Sequence, residues 1–351
     1  MSESRRKFSI CIPAYNRAVH LPALLDSIYA QNFKDFEIVI CEDQSRERPL
    51  ISEIANRYAE RYPKTLTYIE NSENLGYDAN VRNIIANAKG EYCFFMGNDD
   101  LMCSGALATV AAGISRHKNV GLVLKSYAWF DNTPDKINQV VRYFNEERVL
   151  QAGKEAISIC FRRVGVLSGL ILHRDAAEKA ATSEFDGTLY YQMHITSEVL
   201  AEMNAVCLPD VLVLSRNSEA PEFGNSSREK GKYTPGVYTP EARLNMISGI
   251  IRIVTALDHR RNLDMKDEVM RDYANYFYPY IRDQLNLPIK KFYNLYRNFG
   301  KMGFSRYPMF HLYFIVCYLL GQNGFDKVTG IIRKKLGTSL QIGLRKSRVN
   351  R

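Results

Sequence analysis

The sequence holds one tryptophan in 351 residues, and its seven cysteines include no CxxC pair. Cys11, Cys41, Cys93, Cys103, Cys160, Cys207 and Cys317 lie mostly in apolar runs. That spacing excludes a zinc ribbon and a disulfide frame, and predicts buried free thiols in a reducing compartment. No GxGxxG follows the first apolar run and GxxxxGK[ST] occurs nowhere, which argues against a classical dinucleotide fold and a P-loop. No internal repeat is present. The run "MFHLYFIVCYLL" (309–320) is apolar for 12 residues apart from His311, too short for the roughly 20 that cross a bilayer. The first 17 residues lack a sustained apolar stretch, so no secretory leader is expected.

What is there is ordinary in bulk and uneven in detail. Hydrophobic residues make up 46% and charged residues 24%, as in a globular protein long enough for two lobes. The net charge of +9 is split: residues 1–220 carry 24 Lys+Arg against 28 Asp+Glu, whereas 221–351 carry 23 against 10. An acidic first part and a basic last part suggest two tasks.

The first hundred residues alternate cleanly between short apolar strands and helical stripes, and a fifth strand follows. "FSICI" (8–12), "FEIVICE" (36–42), "LTYIE" (66–70), "EYCFFM" (91–96) and "VGLVLKSYAWF" (120–130) read as strands. Between them, helical stripes recur at i, i+3, i+4, i+7: Leu21, Leu24, Leu25, Ile28; then Ile51, Ile54, Ala55, Tyr58; then Val81, Ile84, Ile85, Ala88; then Leu107, Val110, Ala111, Ile114. The alternation predicts an α/β fold with a doubly wound, mainly parallel sheet. Residues 128–215 are less regular, with a helix expected near 189–204 and strands near 166–172 and 205–214. The Gly-, Pro- and Ser-rich stretch 217–240 reads as a flexible loop or hinge, and helices follow it.

In parallel sheets ligands gather at the carboxyl ends of the strands. The segments there are "PAYNR", "EDQS", "NSENLGYD" and "GNDD". Asp99 and Asp100 stand side by side after a buried strand, a costly pairing without a cation or donors to answer it. The plainer account is an Asn-Asp-Asp helix cap.

Together these four segments, in this order and spacing, resemble the nucleotide-binding half of a family 2 glycosyltransferase of the GT-A fold, as used in bacterial surface polysaccharide assembly. The resemblance covers about 7–115 closely and 116–215 loosely. It implies a glycosyltransferase domain over 1–220 (nucleotide-binding half 7–115, acceptor half 116–220), a flexible loop over 221–240, and a basic, aromatic-rich helical lobe over 241–351. It implies transfer of a sugar from a nucleotide-diphosphate donor to a hydroxyl of a glycan or lipid-linked glycan, with inversion. Mn²⁺ or Mg²⁺ would be held by Asp100 and secondarily by Asp99, since such ions favour oxygen ligands and need few from the protein. Relatives often carry another acid where this chain has Gly97. Asp43 would accept a hydrogen bond from the base, favouring uracil or thymine, which offer an N–H; capping the next helix is the alternative. The backbone at Pro13, Ala14 and Tyr15 would edge the base, with Asn16 either capping the helix or touching the nucleotide, and Asn74, Gly76, Asp78 and Asp99 would line the donor site, with Asn80 a further candidate. The family's arginine falls on Val81, so Arg82 one step later either reaches the diphosphate or lines the helix surface.

An inverting transferase needs a base for the acceptor hydroxyl. The family's acidic pair, counted from Phe185-Asp186, falls on Met193-His194, so His194 is the candidate base and Asp186 the second, with Glu184 and Glu198 behind them. A packed helical histidine is the plain alternative. The aromatic and basic residues of 273–351 suit the headgroup region of an anionic leaflet, which would place a cytoplasmic enzyme at the inner face of the membrane; inward-packed aromatics with solvated cations are the alternative. No nucleic-acid motif accompanies the charge, so no nucleic-acid partner is expected. A sugar nucleotidyltransferase would need an early GGxGxR loop, which is missing. A non-catalytic protein that keeps the fold is the remaining alternative.

Overall fold

The computed structural model describes residues 5–217 and 220–336. Ten strands form one sheet: β1 (Phe8–Ala14), β2 (Phe36–Glu42), β3 (Leu66–Glu70), β4 (Tyr92–Phe95), β5 (Leu101–Met102), β6 (Val120–Phe130), β7 (Ile137–Val141), β8 (Arg148–Leu150), β9 (Ile171–His173) and β10 (Asn204–Arg216). The path runs β3-β2-β1-β4-β9-β6-β10-β5, with β7 on β6 and β8 on β10. The expected parallel half is present: Ile10 stands opposite Ile38 on one side and Phe94 on the other, both in parallel register. The fifth run does not extend it directly. Three-residue β9 is inserted antiparallel between β4 and β6, so the sheet is mixed.

Alternation along each buried strand sends side chains to two cores. Ile10, Ile12, Ile38 and Phe94 pack beneath α1 (Leu21–Tyr29), α2 (Arg48–Arg61) and, further along, α4 (Ala106–Ser115). Cys11, Val39, Cys93 and Phe95 face the other way, toward α3 (Tyr77–Asn87), α5 (Lys154–Cys160) and α7 (Tyr191–Leu200); α6 (Arg174–Lys179) lies between β9 and α7. All seven cysteines are unbridged and six are buried.

The second core continues without a break into the carboxyl-terminal lobe, formed by α8 (Pro240–Arg261), α9 (Lys266–Ala274), α10 (Ile289–Lys301) and α11 (Pro308–Leu336). Its aromatics mostly pack inward: Tyr273, Phe277, Phe299, Phe304 and Phe310 are buried, and Phe277 makes edge contacts with Phe299, Phe304 and Phe310. An exposed apolar stripe remains, formed by Ile289 and Tyr293 on α10 and Leu312, Ile315 and Leu319 on α11. No described helix is long and apolar enough to cross a membrane. The basic tail "GLRKSRVNR" lies outside the described residues.

Segment 220–239 has little regular structure, yet it is anchored. Glu229 accepts from Tyr77 N at 2.7 Å, Arg228 donates to the Leu75 carbonyl at 3.1 Å, and the Tyr233 hydroxyl donates to the Gly187 carbonyl at 3.1 Å. Gly76 (φ +81°) must be glycine there, because a Cβ would meet Ser226 Oγ at 2.4 Å.

Candidate functional site

The carboxyl ends of β1, β2 and β4, the start of α3, the loop before β9 and the 220–239 segment surround a cavity of about 610 Å³. Pro13, Tyr15, Asp43, Asn74, Gly76, Asn80, Asp99 and Asp100 line it, so residues separated by up to 87 positions meet in one place. Ala14 is buried and serves instead by accepting from Asp43 N at 3.0 Å. Asn16 adopts φ +51° and does not line the cavity; its carbonyl accepts from Nδ2 of the lining residue Asn98 at 2.7 Å.

Each acid is held by specific donors. Asp43 Oδ1 accepts from Asn71 Nδ2 and Leu75 N, both at 2.8 Å, and Oδ2 from Gly76 N at 2.9 Å. Burial nevertheless pushes its carboxyl up to about 6, the three hydrogen bonds offsetting only part of the lost hydration. Asp99 pairs with Arg17 Nη1 at 2.8 Å. Asp100 Oδ1 accepts from Arg216 N at 2.6 Å and Oδ2 from the Ser168 hydroxyl. Burial first and the neighbouring Asp99 charge second raise its carboxyl to about 7. Two adjacent acids facing a cavity, one held well above the ordinary carboxylate range, are a donor set that a divalent cation would relieve, so the residues fit Mn²⁺ or Mg²⁺. Among the described residues no cluster of three or more metal-ligating side chains occurs, so such an ion would draw most of its shell from ligand and water. Gly97 explains the lean site: a Cβ there would meet Asp100 Oδ2 and Ser168 Oγ at 3.1 Å and Asp99 Oδ1 at 3.2 Å, leaving little room for a third acid.

The remaining expected residues stand elsewhere. Asp78 turns to the opposite side of α3 and accepts from Leu189 N and Tyr191 N, both at 2.9 Å, tying α3 to the start of α7. Burial holds its carboxyl near 7. Arg82 does not line the cavity but forms a forked pair with Asp186, which Arg228 also contacts at 3.2 Å. The candidate phosphate-binding arginine and the second candidate base are therefore spent on each other. His194 lines a separate cavity with Glu198, Arg260 and Arg261, while Glu184 pairs with Arg260. Its Nε2 lies 2.9 Å from the Ala180 carbonyl, its ring lies 4.6 Å from that of Phe185, and burial lowers its pKa.

On α7 it is Gln192 that faces the large cavity; its Nε2 donates to the Gly165 carbonyl at 3.1 Å and its buried Oε1 has no partner among the described residues. Two residues turn about 200° around a helix, so Gln192 and His194 point opposite ways. Sequence reasoning also missed Arg17, Ser168 and Arg216. Arg17 was within reach, since it ends the "PAYNR" segment; Ser168 and Arg216 come from the irregular half and carry no local signal.

Comparison with known proteins matches residues 9–167 to the family model described as glycosyl transferase family 2. The abequosyltransferase RfbV of Salmonella typhimurium is 32% identical over 114 residues, which is 32% of this chain and 34% of that protein. The matched part spans between about a third and less than half of the length of such curated relatives. Among solved structures, S. aureus TarS 1–349 in complex with UDP-GlcNAc superposes with a TM-score of 0.62 at 17% identity, covering 92% of each chain. The mannosyltransferase PcManGT from Pyrobaculum calidifontis, in complex with GDP-Man and Mn²⁺, gives 0.51 at 15% identity, covering 90% of this chain and 88% of that one. At these identities the superpositions establish the GT-A fold.

Proposed function

From a chain whose residues 9–167 match the model of glycosyl transferase family 2, we propose an inverting glycosyltransferase that moves a sugar from a nucleotide-diphosphate donor, with a UDP-sugar favoured, to a hydroxyl of a glycan or lipid-linked glycan. The observation that carries this reading is the meeting of Asp43, Asp99 and Asp100 in one cavity large enough for a nucleotide sugar.

Asp43 Oδ2 has one protein donor and keeps a lone pair for the imide N–H of uracil. Pro13 and Tyr15 edge the base, and Asn74 and Gly76 flank it. Asp100, with Asp99, would hold Mn²⁺ or Mg²⁺; when bound, the ion offsets charge growing on the departing diphosphate. Arg17 and Arg216 bring positive charge to the same wall, the place Arg82 leaves vacant. At the acceptor end, Gln192 Oε1 is aimed to accept from a hydroxyl of the acceptor and orient it. His194 and Asp186 remain proposals for the base only if α7 and the Arg82 pair rearrange with substrate bound. The test is a thermal-shift panel of nucleotide sugars with Mn²⁺. UDP-sugars are expected to raise the melting temperature and the raise should vanish in EDTA; a panel with no Mn²⁺-dependent shift overturns the reading.

For the acceptor's surroundings, the stripe of Ile289, Tyr293, Leu312, Ile315 and Leu319 beside exposed Lys290, Lys291 and Lys301 supports peripheral contact with an anionic membrane. Full-length protein is expected to float with anionic liposomes, and Leu312→Glu with Leu319→Glu to abolish flotation. Equal flotation of both proteins would remove the membrane contact.

A further inference from the structure

A second pocket, of about 270 Å³, shares Trp129, Gly165 and Val166 with the large cavity as a common wall. Its lining includes Tyr143, Tyr276 and Tyr280 together with Arg162 and Arg163, and no Asp or Glu among the described residues. The two guanidiniums share one counter-charge. Arg162 Nε donates to Asp272 Oδ2 at 2.8 Å and Nη2 to Oδ1 at 3.3 Å, while Arg163 Nη1 reaches Asp272 Oδ2 at 3.4 Å and the Ile159 carbonyl at 2.6 Å. Arg163 is 4% exposed, and its guanidinium lines this pocket.

Burying two arginines against one carboxylate leaves a net positive charge in a desolvated, aromatic-walled space. That arrangement is costly unless a further anion completes it. Guanidiniums present donors in a rigid fork that matches phosphate oxygens, and aromatic faces over the arginines (Tyr276 at 4.5 Å from Arg162, Tyr143 at 5.8 Å from Arg163) hold those forks in place.

We propose that this pocket binds a phosphate or diphosphate group carried by the acceptor, on the far side of Trp129 from the donor. The proposal rests on the transferase reading, because it assigns the pocket's ligand to the acceptor; the anion site itself can be measured separately.

The experiment is calorimetric titration of the full chain with inorganic pyrophosphate in EDTA, with UDP binding in Mn²⁺ measured in parallel. Arg163→Gln is expected to weaken pyrophosphate at least tenfold and to leave UDP binding unchanged. Asp272→Asn removes the shared counter-charge and should tighten pyrophosphate several-fold, a change that misfolding would not produce. Geranyl diphosphate binding in the same Arg163-dependent way, as tightly as pyrophosphate or more so, would support a phosphate-linked acceptor from either a free or a lipid source. Unchanged pyrophosphate affinity in Arg163→Gln, no tightening in Asp272→Asn, or displacement of pyrophosphate by UDP would overturn the proposal. Loss of the UDP response in the wild type, with the Arg163 dependence intact, would instead overturn the donor reading and leave the anion site standing.

Discussion

Asp100→Ala is expected to lower metal-dependent sugar transfer by about 1,000-fold or more, and donor hydrolysis with it. Each decade of rate corresponds to about 1.4 kcal/mol of barrier, and removing the ligand of a charge-stabilising cation costs several kcal/mol of transition-state stabilisation. Two features of Asp100 make the effect large. Its oxygens are positioned from opposite sides by Ser168 and the Arg216 backbone, so no neighbour can take its place without moving. Gly97 offers no substitute acid, and Asp99 is already engaged by Arg17.

The same residue predicts a pH dependence. With its carboxyl raised to about 7 against an ordinary value of 3.8, the folded protein keeps the proton through a range where the unfolded chain has lost it. Ionisation therefore costs the empty protein stability as pH rises from about 4 to 7, the reverse of a salt-bridged acid. A cation must displace that proton, so Mn²⁺ affinity should fall about tenfold per pH unit below 7 and level off above it. Titration of Mn²⁺ binding from pH 5.5 to 8.5 reads this directly. A flat profile, or full transfer activity in Asp100→Ala, would mean that the adjacent acids are a loop cap and nothing more.

The second large effect concerns Asp78, which stands on the same turn as the cavity-lining Gly76, Tyr77 and Asn80 but faces away. Asp78→Ala is expected to destabilise the protein by about 3 kcal/mol, because it strands two buried N–H groups at Leu189 and Tyr191. Asp78→Asn, which keeps one carbonyl acceptor, should cost less. Neither change should alter the UDP-induced stabilisation at a temperature where the variant remains folded. Urea denaturation with and without UDP and Mn²⁺ separates the two roles. A variant of normal stability that no longer responds to UDP would return Asp78 to the donor site.

His194→Gln follows the same logic in milder form. Its buried ring fills space against Phe185 and Tyr191 rather than facing the cavity.

What the chain determined by itself is the part whose information is local. Short apolar runs and period-3.6 stripes alternate over residues 8–130 and mark the strands and helices, since a strand covered on both faces reads as a run and a helix buries one face. A parallel sheet brings every strand's carboxyl end to one edge, so the places of Asp43, Asp99 and Asp100 follow from their positions just after β2 and β4. Only the tertiary structure decided the rest. The sequence marks a strand near 166–172 but not its place: β9 enters antiparallel between β4 and β6, turns the sheet mixed and delivers Ser168 to Asp100. Arg216 reaches Asp100 across 116 positions, a contact that depends on how β10 packs against β6. On α7, whose ten residues are all buried, no hydrophobic stripe marks the face that meets the cavity. The rotation of that helix is set by contacts with α3, α8 and the sheet, and it presents Gln192 where counting along the sequence pointed to His194. Side-chain direction in a fully buried element is a property of its neighbours, and those neighbours come together only in the folded chain.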